Sequence, residues 1–336
     1  MERPVPRSRQ PQHPRGRRRK KRRLNPHLIL LAAILLIAAI SLIKLVIWNI
    51  GTRSDYDPEN LEEGFDVEAL DTIVPLPASA LEGREDDGVT TILCLGNNPL
   101  TDADGESSFT SLLAQKTGAE VYQGGFPDST IATRYSVYNE EYPDDNFNLP
   151  HVAGSIASGD FGRLEAAAAL KEDPRYASSV ETLRSMDYQK VDMIVLVYDA
   201  ADYLARIPSD NPNDPYELSA YTGGLRTALE GLQQAYPHIR IVIMSHSFAQ
   251  YVDENGEHHS GGRTDLGNGA LPHYLIKQVD VALSCKVSII DNFYGSIHED
   301  NFQKYLSDHI HLNDAGRNLL ADRLAELVNT GRTSVK

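Results

Sequence analysis

Asp308 and His311 stand three residues apart in the run Asp308-His309-Ile310-His311-Leu312-Asn313-Asp314-Ala315-Gly316, just ahead of a segment of helical period. An aspartate that accepts a hydrogen bond from an imidazole fixes its tautomer and stabilises its cation. The histidine can then take a proton from a nucleophile or from water. The pair is the basic half of a hydrolytic triad, and a nucleophile has to come from elsewhere in the chain. The same spacing also fits two solvated loop residues.

Five short apolar runs, at 91–95, 120–122, 191–198, 239–245 and 287–291, alternate with segments of helical period at 107–116, 161–171, 178–186, 216–235, 271–283 and 314–329. That order predicts an α/β layer fold around a mostly parallel sheet. Asn313 is placed to cap the last helix. Asp253-Glu254-Asn255-Gly256-Glu257 predicts a hairpin turn, since Asn-Gly tolerates positive φ. His258 and His259 beside it read as a solvated loop pair, not as metal ligands.

In open parallel sheets a ligand lies beyond the carboxyl ends of the strands, so the informative residues follow each run. After the first come Leu95-Gly96-Asn97-Asn98-Pro99-Leu100-Thr101, and after the second Gln123-Gly124-Gly125-Phe126-Pro127-Asp128-Ser129. The third is followed by Asp199-Ala200-Ala201-Asp202.

In this block order, and most specifically in Asp308 to Gly316 with Arg317, Leu319 and Ala321, the chain resembles the SGNH (GDSL-type) hydrolase family. The resemblance implies a three-layer α/β/α, flavodoxin-like domain with a mostly parallel five-stranded sheet. It implies that His311 and Asp308 are the catalytic base and its partner. It also implies that Asn98 occupies the position of the nucleophilic serine, where a carboxamide cannot serve as acyl acceptor. The backbone N–H groups of Gly125 and Asn98 become the oxyanion donors, with Gly124 as the alternative to Gly125. Ala201 falls where the family has its oxyanion-binding Asn, and Asp202 matches the Asp after it. The family implies neither cofactor nor metal. Its substrate class would be acyl or acetyl esters of a cell-envelope glycan, or a small ester.

The amino-terminal part bears on location. Residues 1–26 carry eleven Lys or Arg against one acidic residue, Glu2, with an unbroken cationic run from Arg17 to Arg23. Residues 28–48 follow, apolar except for Ser41 and Lys44 and ending on Trp48. At roughly 1.5 Å per residue they reach about 30 Å, one bilayer core. The expected organisation is a basic cytoplasmic tail (1–26), a single transmembrane signal anchor (27–48), an acidic extracytoplasmic stalk (49–88) and the SGNH-like domain (89–332), held at the cell membrane outside the cytoplasm. A cleaved signal peptide is the competing reading. Beyond residue 50 the chain holds 20 basic and 46 acidic residues, a charge of −26, which argues against a nucleic-acid partner. No Gly-rich phosphate fingerprint supports nucleotide binding.

Cys94 and Cys285 are the only cysteines, both in apolar runs that read as buried strands. In the family's fold those strands are not neighbours, which implies two free thiols. Two function classes follow. One is a degenerate member that binds its ligand with serine-based catalysis impaired or lost. The other is an active esterase that uses a relocated serine, among Ser107, Ser108 and Ser129, or water activated by His311.

Overall fold

A computed structural model describes residues 69–82 and 87–333. The basic tail, the proposed anchor and most of the proposed stalk lie outside the described residues. Among the described residues no helix is long and apolar enough to cross a membrane.

The sheet is built from β1 (Thr91–Gly96), β2 (Glu120–Gln123), β3 (Met193–Val197), β4 (Arg240–Met244) and β7 (Ser288–Ile290), all parallel, in the order β2-β1-β3-β4-β7. Two short strands, β5 (Gln250–Val252) and β6 (His258–Ser260), form the antiparallel hairpin expected from Asn255-Gly256, with Gly256 at φ 80°. Every residue of β1 and β3 is buried, so these central strands read as unbroken apolar runs without alternation.

Among the described residues, seven helices longer than a single turn flank the sheet: α1 (Phe109–Thr117), α2 (Leu149–Ser158), α3 (Gly162–Ala168), α4 (Pro174–Ser185), α5 (Tyr221–Ala235), α6 (Leu271–Cys285) and α7 (Asp314–Thr333). α1 packs with α7, and α2 and α6 pack against α5, giving the two outer layers of an α/β/α sandwich. Local chemistry sets their limits. The Ser108 hydroxyl accepts the Ser111 N–H to start α1, and Gly118 at φ 66° ends it. Asp173 caps α4 one turn earlier than the apolar period alone indicates, with Pro174 in the first turn. No helix is expected from the sequence at α2, a stretch that contains Pro150 and Gly154. Pro150 sits in the first turn, where its missing N–H costs nothing. Cys285 lies at the end of α6, not in a strand, and both thiols are buried and free.

The folded region also begins before residue 89. Thr72 exchanges two backbone hydrogen bonds of 2.9 Å with Ile289 on the free edge of β7. Val74 N–H donates to Ser288 Oγ at 3.0 Å, and Arg323 of α7 grips Asp71 at 2.7 and 2.9 Å. Part of the segment expected to be a stalk is therefore a strap that covers a sheet edge.

Candidate active site

The strand order reverses direction of growth between β1 and β3, and a ligand crevice forms at such a point beyond the carboxyl ends of the strands. Gly96 ends β1 there. A Cβ on it would lie 1.9 Å from the Val197 carbonyl oxygen, so only glycine lets β1 and β3 stay paired to their ends.

The Asp308 to His311 loop is pinned at its base. Ser307 N–H donates to His311 O, and Asn313 N–H to Tyr305 O. Asn313 Oδ1 caps α7 by accepting the Gly316 N–H at 3.0 Å. Inside this loop Asp308 Oδ1 accepts the N–H groups of Ile310 and His311 at 2.9 and 2.8 Å, while Oδ2 lies 2.7 Å from His311 Nδ1. Burial works to raise the Asp308 carboxyl, but these donors outweigh it and hold it at about 2. Burial also works against the His311 cation. The Asp308 hydrogen bond and the fields of Asp102, Asp308 and Asp199 outweigh that effect and raise the imidazole above its ordinary value. His311 Nε2 makes no hydrogen bond to any described residue, so the ring is oriented and its far nitrogen is open.

Asn98 opens a single helical turn after β1, Asn98–Thr101, and is 6% exposed. Both ends of its amide are engaged. Nδ2 donates to Asp199 Oδ2 at 3.0 Å, and Oδ1 accepts the Asp128 N–H at 3.0 Å. Asn97 clamps the same aspartate, donating to Asp199 Oδ1 at 2.7 Å and accepting the Asp199 N–H at 3.0 Å. Ala201 N–H adds a further bond of 2.9 Å to Asp199 Oδ1. Burial raises the Asp199 carboxyl against the lowering effect of these donors.

Asn98, Ala201 and His311 line one cleft of about 650 Å³, together with Asp128 and Ser129. That volume suits a small ligand or one portion of a polymer. Asp308 faces the adjoining groove with Asp102 and Arg175.

Gly125 is not in the cleft wall. Its flanking residues donate to β1, Gly124 N–H to Cys94 O and Phe126 N–H to Gly96 O, and its own carbonyl accepts the Ser179 hydroxyl at 2.6 Å. Strand alternation turns its peptide groups away from β1 and towards α4. A Cβ on Gly125 would come within 2.9 Å of Gly96 O, so this glycine serves close packing. The backbone donor that meets Asn98 is Asp128. Its φ of 54° lies in the left-handed region, where glycine is the usual occupant. The sequence reading missed it because it took the first glycines after the strand and did not follow the turn to its end.

Asp202 also leaves the cleft chemistry. Its carboxylate accepts the N–H groups of Ile131 and Ala132, each at 2.9 Å, which fixes the loop forming one cleft wall. Burial pushes its pKa up to about 7 despite those bonds. Of the alternative hydroxyls, Ser107 and Ser108 serve the entry to α1, donating to Asp104 O and Gly105 O. Ser129 does line the cleft, with its hydroxyl 3.5 Å from Gly96 O.

The hairpin braces the Asp308–His311 loop, since Gln250 N–H donates to His309 O at 2.8 Å. Its histidines are engaged locally, His258 with Gln250 Oε1 at 3.0 Å and His259 with Asp253 Oδ2 at 3.1 Å. Asp253, Glu257 and His259 bring three potential ligand atoms within 4.8 Å of one another at this turn.

No protein-family model matches the sequence, and no curated protein matches it. Among solved structures, one crystal structure superposes with a TM-score of 0.53 at 17% identity, over 73% of this chain and 99% of its own. A possible lipase from Chitinophaga pinensis gives 0.47 at 11% identity, covering 71% of this chain and 98% of that one. A protein described as a GDSL-like lipase from Bacteroides ovatus gives 0.45 at 9%, covering 72% and 99%. The first of these likenesses is one of fold, a three-layer α/β/α domain around a parallel five-stranded sheet. At these identities the likeness concerns fold alone and assigns no activity.

Proposed function

We propose that this chain is an SGNH-type ester-hydrolase-like protein, anchored at the outer face of the cell membrane by its apolar amino-terminal segment, whose cleft binds an acyl or acetyl ester of a cell-surface glycan, or a small ester, with serine-based turnover lost. One observation carries the reading: the nucleophile position is filled by the Asn98 amide, whose two ends are held by Asp128 N–H and Asp199 Oδ2. An acyl-enzyme needs an oxygen or sulfur nucleophile at that place. The Asp128 donor, which would face a developing oxyanion, is turned onto Asn98 instead. The Ala201 methyl adds no donor, and a single missing oxyanion donor costs about 10²- to 10³-fold in kcat.

A second reading keeps catalysis. The Asp308–His311 pair retains full hydrogen-bonded geometry with Nε2 open, which supports direct activation of water, and Ser129 shares the cleft. Hydrolysis of p-nitrophenyl acetate and of an O-acetylated oligosaccharide by the full chain, alongside calorimetric binding of the same oligosaccharide, separates the two. The first reading expects binding without turnover above background. Turnover abolished by His311→Ala and kept by Asn98→Ala would overturn it in favour of the second, and Ser129→Ala would then decide between serine and water.

A further inference from the structure

We propose that the end of the sheet opposite the cleft carries a binding site for a phosphate-type oxyanion, held by Arg240 with Lys286 and His238. Arg240 opens β4. Its Nε is buried and has no hydrogen-bond partner, and Nη2 reaches only Ser288 Oγ, at a long 3.4 Å. That hydroxyl is already committed to the strap, accepting from Val74 N–H at 3.0 Å and donating to Val74 O at 3.2 Å.

Among the described residues no carboxylate pairs with Arg240, and burial alone lowers its pKa. The contrast is with Arg175, Arg317 and Arg323, each bound to an aspartate. The Arg240 side chain is half-buried, with its Nε cut off from water and unpaired, and an anion would supply the missing acceptor.

Two more basic side chains line the same hollow. Lys286, in the left-handed region at φ 56°, ends α6 just before β7 and lines the same hollow as Arg240. His238 lies two residues before Arg240, 9% exposed, with Nε2 3.2 Å from Tyr188 O. Arg240, Lys286 and His238 line a hollow of about 1020 Å³ in which Glu82 is the single acidic wall residue among those described. Arg240 and Lys286 against one carboxylate leave surplus positive charge there, in a chain whose residues beyond 50 carry −26. A guanidinium fork with a lysine beside it suits phosphate oxygens, taken bidentately by the arginine and as a point charge by the lysine. The phosphate could belong to a soluble molecule or to a lipid headgroup.

The test is thermal unfolding of the full-length chain, first in detergent with inorganic phosphate titrated against sodium chloride of equal ionic strength. A saturating rise in Tm is expected, because a ligand that binds only the folded state stabilises it by mass action. Arg240→Met should unfold at a higher temperature than wild type without phosphate, since it removes the unpaired charge, and should lose the phosphate-dependent rise. Lys286→Gln, at an exposed position, should weaken phosphate binding about tenfold and serves if Arg240→Met does not fold. In the second arm the chain is reconstituted, without phosphate, in phosphatidylcholine vesicles with or without phosphatidylglycerol. A rise there that Arg240→Met abolishes assigns the site to a headgroup, and a rise in the first arm alone assigns it to a soluble phosphate. A flat Tm in both arms, or a rise that survives undiminished in both variants, overturns the proposal. Neither readout depends on chemistry at the cleft.

Discussion

The loop that carries His311 and the turn that carries Asn98 meet at one cleft, yet they solve opposite problems. The first is a local device. Asp308 orients an imidazole three residues away with one side-chain bond and two backbone bonds, and it leaves Nε2 free to act on something else. The second is closed on itself. Asn97, Asn98, Asp128, Asp199 and Ala201 satisfy one another across three strand ends, and their donors point at the protein instead of at a ligand. On the proposed reading, Asp308 and His311 are a general-base pair kept in a site whose nucleophile and oxyanion positions have become structural. The difference shows that retention of an Asp–His pair is weak ground for inferring turnover.

The largest effect expected comes from reopening the closed side. Asn98→Ser alone should give little activity, because Asp199 Oδ2 would remain beside the new hydroxyl and repel an oxyanion. Asn98→Ser with Asp199→Gly and Ala201→Asn should hydrolyse p-nitrophenyl acetate, with the Asn contributing about 10²- to 10³-fold over the variant that lacks it. Steady-state kinetics of the series checks this, and equal rates with and without the Asn would show that position 201 does not face the reacting oxygen.

Stability gives the next contrast. Asp199→Ala leaves the amides of Asn97 and Asn98 and the Ala201 N–H without their buried acceptor, and should cost about 3 kcal/mol in chemical denaturation. Asp308→Ala removes a partly exposed acceptor and should cost clearly less. A smaller loss at Asp199 than at Asp308 would mean that the closed network is not what holds the cleft together.

The gap narrows further with Gly125→Ala. Overpacking against Gly96 O should destabilise the domain by about 1 to 3 kcal/mol. Affinity for an O-acetylated oligosaccharide should hardly change, because Gly125 is outside the cleft wall. Loss of binding without loss of stability would return Gly125 to the site.

The smallest effect is a titration. His311 has a raised pKa, so its pairing stabilises the fold fully below the ordinary imidazole range and is lost as pH rises through the folded-state value. Asp308, depressed to about 2, stabilises at pH above the ordinary carboxylate range, and that contribution is lost as pH falls towards 2. Asp308→Asn should move the His311 ring pKa downward in an NMR titration, while Asp199→Asn should move it less. A larger shift from Asp199 would make the second carboxylate the stronger partner of the base.

The sequence by itself determined the parts whose partners are near along the chain or whose pattern is periodic. Buried parallel strands advertise themselves as apolar runs, the Asn-Gly hairpin carries its own φ preference, and Asp308 and His311 share one loop. Only the tertiary structure decided the rest. Asn97 and Asp199 are 102 residues apart, and nothing in either tripeptide announces that a carboxylate from β3 will sit on the amides at the end of β1. Gly125 and Asp128 compete for one role a few residues apart, and it is settled by which peptide N–H strand alternation and a left-handed turn aim at Asn98. The strap at Thr72 was hidden for a related reason: a segment without apolar period gains its order from the free edge of β7, and an edge exists only after the sheet has formed. Arg240 looks like any strand-opening arginine until the fold buries its Nε without a partner.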